Sequence, residues 1–281
     1  MCKNIVTLTM LVLSPYLLNA QYRCPNSTSI ENYEVLDSAD FECTYELHYL
    51  KNIKNENAIS KDIKVLLIGQ KISKFYSYYS LVYDSLCQQL IKKGHTSVPS
   101  NSNSGTQGYE IFKDIGTKQI TYTDKGTCLR GNFIYEDNID MQWNICPEKS
   151  IILDHQCQKA TTKFRGRDYE VWFADNIPLS NGPWKFGGLP GLILKVRDLQ
   201  NNFVFECTGI RSLKKKLPIL FYKIDYTKIK REDLAKLYGK YHDDPTGYLE
   251  SIGEQLLFMG KDGKARVNRQ AKYPYNPIEL E

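Results

Sequence analysis

Hydrophobic and polar positions alternate with a period of two along most of the chain, and this alternation predicts β-strands. It is clearest in residues 192–197 and 203–208, where one side of each segment is apolar. Residues 198–202 between them are rich in turn-forming side chains. Together the three segments predict a β-hairpin with one buried face.

Nine other segments share this alternation or are rich in aromatic residues. Tyrosine alone accounts for 20 residues, and its ring suits the half-buried surface of a sheet. These predicted strands are residues 41–50, 63–68, 71–76, 110–114, 119–123, 128–135, 141–145, 156–164 and 167–174.

Helical spacing, with apolar residues three or four positions apart, is confined to three shorter parts of the chain. Residues 79–93 have this spacing and end just before Gly94. Residues 226–239 also predict a helix, with Thr227 as its N-cap. Asp244-Pro245 is expected to break the chain, and a third, short helix is predicted at residues 249–258.

The remaining segments are predicted to be irregular. Residues 21–40 form a loose entry segment, residues 96–108 a mobile loop, and residues 260–281 an extended tail. The fold class is therefore α+β: a predominantly antiparallel, twisted β-sheet with a few helices, in one domain over residues 21–281. The strand pattern after Trp172 is similar to the meanders of LolA-type periplasmic lipoprotein carriers, which have curved sheets.

Residues 1–20 have the three-part layout of a secretory signal peptide. Lys3 gives a positive start, residues 5–18 are mostly apolar, and Ala20 offers a cleavage position. The apolar run is shorter than the roughly 20 residues that span a bilayer. We therefore expect an exported protein that has no transmembrane segment after cleavage.

Cysteine usage agrees with export to an oxidising compartment. Seven of the eight cysteines lie beyond the leader, and none is arranged as C-x-x-C. This favours disulfides over a zinc or redox site, although the spacing leaves their pairing open. The possible disulfide members are Cys24, Cys43, Cys87, Cys128, Cys146, Cys157 and Cys207.

Charge and candidate chemistry exclude several classes of function. The formal net charge is only +5, and the basic runs 211–216 and 228–231 come without a nucleic-acid-binding motif, so no nucleic acid is expected. The four histidines lack the spacing of metal ligands, and no cofactor is predicted. Residues 154–157 bring an acid, an imidazole and a thiol together, but a surface His155 and a paired Cys157 explain them better. No catalytic residue is predicted.

The connection between residues 174 and 192 carries the most specific motif. Its prolines and large apolar residues predict an ordered turn that locks two strands, and Gly191 suits the left-handed position of a type II turn. The alternative is a rim that contacts a ligand or partner. The candidate contact residues are Gly182, Pro183, Trp184, Lys185, Phe186, Gly188, Leu189, Pro190, Gly191, Leu192 and Ile193.

Residues 188–193 spell GLPGLI, and the chain resembles the GLPGLI family of exported Bacteroidota envelope proteins. The likeness also covers residues 157–160, 165–167, 172, 182–186 and, less specifically, 68–69, 73–77 and 276–280. The resemblance implies a location in the periplasm or at the outer-membrane periphery of a Gram-negative bacterium. It implies no reaction and no catalytic residues.

Three functions are consistent with these features. The first is non-enzymatic binding of an apolar ligand, a lipid or a peptide on the curved sheet. The second is an accessory subunit that docks on an outer-membrane transport or export complex, and it requires an exposed aromatic patch around Trp184 with no cavity behind it. The third, a hydrolase, requires an acid, a base and a nucleophile that converge in a cleft.

Overall fold

Almost every predicted strand is present, and most of them join one sheet. The structure, a computed structural model, describes residues 30–55, 57–95, 106–125, 128–255, 257–259, 265–267, 269 and 272–281. The predicted leader, Cys24 and most of the predicted loop 96–108 lie outside these residues.

The strands of the sheet are β1 (Tyr33–Leu50), β2 (Ile59–Ile68), β3 (Ile72–Ser77), β4 (Tyr109–Asp114), β5 (Gln119–Asp124), β6 (Phe133–Asn138), β7 (Asn144–Ile152), β8 (His155–Phe164), β9 (Arg167–Ala174), β10 (Leu192–Asp198), β11 (Phe203–Tyr222) and β12 (Thr227–Lys228). The helices among the described residues are α1 (Tyr78–Lys92), α2 (Arg231–Asp243) and α3 (Pro245–Ser251). A separate pair, β13 (Leu257–Met259) and β14 (Ala265–Val267), is antiparallel.

The large sheet is open and has the order β12-β6-β5-β4-β3-β2-β1-β11-β10-β9-β8-β7. Its neighbouring strands are antiparallel, except that β12 runs parallel to β6. Most strands follow one another as a meander, and β1 pairs with β11 in the middle to join two halves. The predicted α+β class and the predicted hairpin between β10 and β11 are confirmed.

The central strands are longer than the sequence predicts. Residues 33–40, expected to be loose, belong to β1, and residues 209–222 extend β11. Tyr33 pairs with Tyr222 at the far end of this ladder, and three register shifts interrupt it. These register shifts break the alternation of apolar and polar positions. The sequence pattern therefore does not predict the additional strand residues.

The helices after residue 226 also differ from the prediction. Thr227 is not an N-cap, because its backbone N–H donates to the carbonyl of Asn132 at 2.8 Å and joins β12 to the free edge of β6. The helix α2 begins only at Arg231, after Lys230. Asp244-Pro245 starts α3 rather than merely breaking the chain, since the Asp244 side chain accepts from Gly247 N and Pro245 occupies the first turn.

The two faces of the sheet bury different clusters. The front face carries the main apolar cluster, which includes Tyr45, Phe75 and Phe205 and extends to Trp184 and Phe186. The back face carries a smaller apolar cluster around Val65 and Phe112.

A buried charge cluster attaches α1 to the back face. Asp84 of α1 pairs with Lys125 at 2.9 Å, and Glu110 bridges Lys125 at 3.1 Å to Lys74 at 2.9 Å. All four side chains are at most 6% exposed. Two positive and two negative charges balance here, which is the condition under which buried ions are tolerated.

Candidate functional site

A cavity of about 380 Å³ opens on the front face. Its floor is a row of three tyrosines, Tyr109, Tyr122 and Tyr135, one on each of β4, β5 and β6. Neighbouring rings of this tyrosine ladder are stacked, with centroids 5.5 Å and 4.6 Å apart. Burial raises the pKa of all three phenols well above the ordinary value, so they stay protonated.

The opposite wall of the cavity comes from α2 and from the C-terminal segment, residues 272–281. The rings of Tyr238 and His242 on α2 both stack on Tyr275, with centroids 6.4 Å and 4.4 Å away. The Tyr238 hydroxyl donates to Asp124, next to the ladder. Aromatic rings therefore line the cavity on two sides.

One end of the cavity contains a buried ion cluster. Lys185, whose side chain is 1% exposed, pairs with Glu279, and Arg231 binds the other oxygen of that carboxylate at 3.2 Å. The Lys185 Nζ also lies 5.2 Å from the ring centroid of Tyr135. Burial lowers the pKa of Lys185, while the Glu279 carboxylate opposes that shift.

At other points of the cavity wall, two side-chain atoms are buried without a hydrogen-bond partner. They are the Thr106 hydroxyl oxygen and His242 Nδ1. Burial also lowers the pKa of His242, which keeps its imidazole neutral near pH 7. Both atoms are enclosed by the protein, so they do not face the open space of the cavity.

Arg167 on β9 holds the C-terminal segment in place. Its guanidinium donates to the carbonyls of Ile278 at 3.1 Å and Pro277 at 2.7 Å, and to the Asn276 side-chain oxygen at 2.7 Å. Asp198 pairs with the same guanidinium at 3.0 Å. The segment thus covers one side of the cavity through polar contacts.

The predicted motif residues lie between β9 and β10 and in the first two positions of β10, and most of them are buried. Trp184 and Lys185 are the two that line the cavity. Trp184 is 1% exposed, so the exposed aromatic patch expected for a docking subunit is not formed at this residue. The Tyr45 hydroxyl donates to the carbonyl of Ile193 at 2.8 Å, which links β1 to the start of β10.

The predicted type II turn at residues 189–192 is wrong. The hydrogen-bonded turn lies earlier, where Phe186 N donates to the carbonyl of Pro183 at 3.0 Å and Trp184 takes a left-handed φ of 50°. Gly188 has a φ of 86°, whereas Gly191 is not among the residues with positive φ. Gly191 is needed for space, because a Cβ there would lie 2.1 Å from the carbonyl oxygen of Ala174.

Four of the predicted disulfide members, Cys43, Cys146, Cys157 and Cys207, have free thiols in the structure. Burial raises the pKa of Cys157 and of Cys207 to about 11, which suppresses the nucleophilic thiolate. His155 contacts Asn176 at 3.2 Å through Nδ1. Disulfides that involve the other cysteines stay a prediction.

Sequence reasoning missed most of the cavity. It noted the abundance of tyrosine but not that three of them stack across three strands. It interpreted residues around His242 only as a helix end. Family likeness alone draws attention to residues 276–280, although Asn276 and Glu279 line the cavity.

In the described part of the chain, no three histidine, cysteine, aspartate or glutamate side chains are grouped as metal ligands would be. None of the helices described has the length and apolar character required to cross a membrane.

Comparison with known families finds one match in the middle of the chain. Residues 108–195 match the model of a family described as "Protein of unknown function (Porph_ging)". The matched residues include the tyrosine ladder and the whole GLPGLI hexapeptide. The match is consistent with a Bacteroidota family of unknown function, and the GLPGLI name itself stays a prediction. No curated protein matches the sequence.

Solved structures show only distant likeness. PNGF-II, in two crystal forms, matches with TM-scores of 0.47 and 0.46 at 15% identity, over 73% and 72% of this chain. The chain spans about a third of the length of PNGF-II, 34% and 33% in the two forms. An uncharacterized conserved protein from Thermus thermophilus matches with a TM-score of 0.35 at 8% identity, over 68% of this chain and 90% of that one. At these TM-scores neither likeness indicates a function.

Proposed function

We propose that this protein is an exported binding protein of a bacterial cell envelope, and that it holds a small ligand with an apolar ring in the front cavity. The observation that carries this proposal is the cavity of about 380 Å³ between two aromatic walls. A concave, largely aromatic site with a few convergent polar groups is typical of small-molecule binding. The export part of the proposal rests on the signal-peptide pattern of residues 1–20.

The cavity wall narrows the range of ligands expected from the sequence. Asp124, Arg231 and Glu279 all line the cavity, and a purely aliphatic lipid chain would leave these charges facing hydrocarbon. A flat ring can stack on the tyrosine ladder while polar groups on its edge meet the charged and hydroxyl side chains. A ring-bearing ligand, free or attached to a peptide, therefore fits better than a lipid tail.

The geometry favours binding over hydrolysis. Both carboxylates of the cavity already have partners: Asp124 accepts from Tyr238, and Glu279 accepts from Lys185 and Arg231. A general base or nucleophile has to reach the substrate with a free lone pair. Neither carboxylate therefore supports hydrolysis, and the Nδ1 of the other candidate base in the lining, His242, is buried.

The docking-subunit alternative keeps one observation in its favour. The outer side of α1 exposes Tyr79, Val82 and Leu86, at 37%, 45% and 40%, with helical spacing. An exposed apolar stripe of this kind can contact another protein. Trp184, the aromatic residue that the sequence predicts at such a surface, is buried.

A block at the mouth of the cavity tests the binding function. Ala235 on α2 lines the cavity and is itself exposed, so the change Ala235→Trp should fill the opening without disturbing the core. We expect native mass spectrometry of gently purified wild-type protein from its own host to show an added small-molecule mass, which Ala235→Trp loses.

The matched control is Lys236→Trp, one position further along the same helix and exposed. It should keep the added mass. Two results would contradict ligand binding in the cavity and favour the docking subunit. One is that wild type, Ala235→Trp and Lys236→Trp all carry no added mass. The other is a bound polypeptide that Ala235→Trp does not affect.

A further inference from the structure

We propose that the back of the molecule, formed by the outer sides of α1 and of a two-stranded arm, binds the surface of an anionic lipid bilayer. The arm consists of residues 33–40 of β1 paired with residues 217–222 of β11. This inference goes beyond the proposed function, because no residue of α1 or of the arm lines the cavity.

The arm folds back over the sheet. Residues 213–216 of β11 bulge out of the ladder, where only Asp40 of β1 lies opposite these four residues. Beyond the bulge, the ring of Phe221 lies 5.3 Å from that of Phe112, in the apolar cluster of the back face. One side of the arm therefore covers the back of the sheet, and the other side faces outward.

The helix α1 lies next to the arm on the same face of the sheet. The Nζ of Lys125 pairs with Asp84 of α1 at 2.9 Å and lies 5.1 Å from the ring centroid of Tyr222, the last residue of the arm. At the other end of α1, Lys92 pairs with Glu31, just before the arm begins. The outer sides of α1 and the arm thus form one surface, called here the back surface.

Large apolar side chains are concentrated on these two elements. In the described part of the chain 18 large apolar residues are exposed, and seven of them belong to α1 or the arm. Along α1, positions 79, 82 and 86 are three and four residues apart, so their side chains form one stripe on the outer side. Exposed apolar surface of this extent indicates contact with a protein or a membrane. The seven residues are Tyr33, Val35, Tyr78, Tyr79, Val82, Leu86 and Ile91.

Uncompensated lysines flank this apolar surface. Lys93 follows the last turn of α1, and Lys214 and Lys215 lie in the bulge at the base of the arm. All three are exposed, and none of them forms an ion pair with another described residue. The neighbouring Lys216, in contrast, pairs with Asp40 at 2.8 Å. The unpaired positive charges are complementary to the phosphates of lipid headgroups.

The shape of the back surface favours a bilayer over a protein partner. Protein interfaces are anchored by side chains that fill pockets, whereas a bilayer accepts apolar side chains that project from a helix and lysines that flank them. The tyrosines among the projecting residues suit the boundary between headgroups and acyl chains. Because the cavity opens on the opposite face, a bilayer at the back surface leaves the mouth of the cavity in water.

The test is co-sedimentation of the purified protein with vesicles of two compositions. One is phosphatidylcholine alone, and the other is phosphatidylcholine mixed with the anionic lipid phosphatidylglycerol. We expect tighter binding to the mixed vesicles, and this preference should decrease as the salt concentration rises, because salt screens exposed charges.

The double variant Lys214→Gln/Lys215→Gln tests the charges. Binding to the mixed vesicles should weaken by about fivefold per lysine removed, the ratio expected for one lysine near an anionic surface. Lys149→Gln on β7, at the far edge of the sheet, removes an equally exposed lysine and should bind as the wild type does.

The double variant Val82→Ser/Leu86→Ser tests the apolar stripe. It should bind the mixed vesicles at least about tenfold more weakly, because two apolar side chains no longer enter the bilayer. Both positions are exposed, so the fold should be kept, and circular dichroism checks this. Ile151→Ser makes a matched exchange at an exposed position of β7 and should leave binding unchanged.

Three results would overturn the proposal. The first is that wild-type protein binds neither kind of vesicle. The second is that the back-surface variants and the β7 controls lose binding equally. The third is self-association without vesicle binding that only Val82→Ser/Leu86→Ser abolishes, which would assign the back surface to a second copy of the chain. Each of these results leaves ligand binding in the cavity untouched.

Discussion

Lys113 illustrates how a single buried side chain can make the stability of the protein depend on pH. Its Nζ lies inside the front face, 2.6 Å from the carbonyl oxygen of Gly182 and 3.0 Å from that of Phe186. Burial lowers the pKa of Lys113 from 10.5 to about 7, and the nearby Cys43 opposes the shift only in part. A neutral amine has two hydrogens for these two carbonyls, so the contact survives deprotonation.

The sign of the resulting pH effect follows from proton binding. Between pH 7 and 10.5 the unfolded chain holds a proton on Lys113 that the native chain has lost. The free energy of unfolding therefore rises with pH in this range, by at most about 1.4 kcal/mol per pH unit. Below pH 7 both states bind the proton, and the penalty on the native state is fully present.

We expect wild-type protein to gain up to about 1 kcal/mol of stability relative to Lys113→Met when the pH is raised from 7.5 to 8.5. Urea unfolding at both pH values measures this difference. Lys195→Met, at a half-buried surface position, serves as the control and should follow the wild type. If the free energy of unfolding changed with pH by the same amount in wild type and in Lys113→Met, Lys113 would not titrate in this range.

At the scale of elements, the junction of β9 and β10 depends on close backbone contact. Leu192 pairs with Ala174, and Gly191 lies directly against the carbonyl of Ala174. A Cβ at residue 191 would lie 2.1 Å from that oxygen and 3.0 Å from the Cα of Asp175. Backbone atoms on both sides of the contact leave no flexible group that could yield.

The change Gly191→Ala should lower the free energy of unfolding by at least about 2 kcal/mol, since overpacking of this kind typically costs about 1–3 kcal/mol or more. Thermal and urea unfolding measure the loss. Gly209→Ala in β11 is the matched control, because a Cβ there meets no atom within 4 Å. It should be close to neutral, and an equal loss in both variants would refute the steric explanation.

At the scale of the whole molecule, the C-terminal segment joins distant parts of the sheet. Arg167 on β9 binds three of its acceptors, and Asn276 reaches back to the carbonyl of Leu50 at the end of β1. Leu280 N donates to the carbonyl of Arg165 at 2.9 Å. The segment is held by separate contacts, of which those of Arg167 are the most numerous, and not by a strand ladder, so it should open more readily than the sheet.

Arg167→Lys should release the segment while the sheet stays folded, because a lysine cannot reproduce the planar set of donors. Loss of hydrogen bonds to a charged group costs roughly 1.5–3 kcal/mol, which implies at least about tenfold faster local opening. Hydrogen–deuterium exchange of residues 272–281 measures this rate. Arg197→Lys is the control, because the Arg197 guanidinium pairs with Glu170 and not with the C-terminal segment. Unchanged exchange in Arg167→Lys would mean that other contacts hold the segment.

Patterns over a few neighbouring residues were enough to predict most strands and the helix α1. Alternation predicted most strands, and the spacing of apolar residues predicted α1 almost to the residue, at 79–93 against Tyr78–Lys92. The same reasoning misplaced α2, because the free edge of β6 captures Thr227 and Lys228 as a strand. The pairing of β1 with β11 involves residues far apart in the chain, so no local pattern shows it.

The sequence by itself determined the fold class, the helix α1 and the presence of an ordered connection before β10. Each of these depends on neighbouring residues and their backbone preferences. Only the tertiary structure decided the cavity, because Tyr109, Tyr122, Tyr135, His242 and Tyr275 come from separate strands, a helix and the C-terminal segment. Side chains so distant in sequence meet only when the sheet order and the course of the C-terminal segment are fixed.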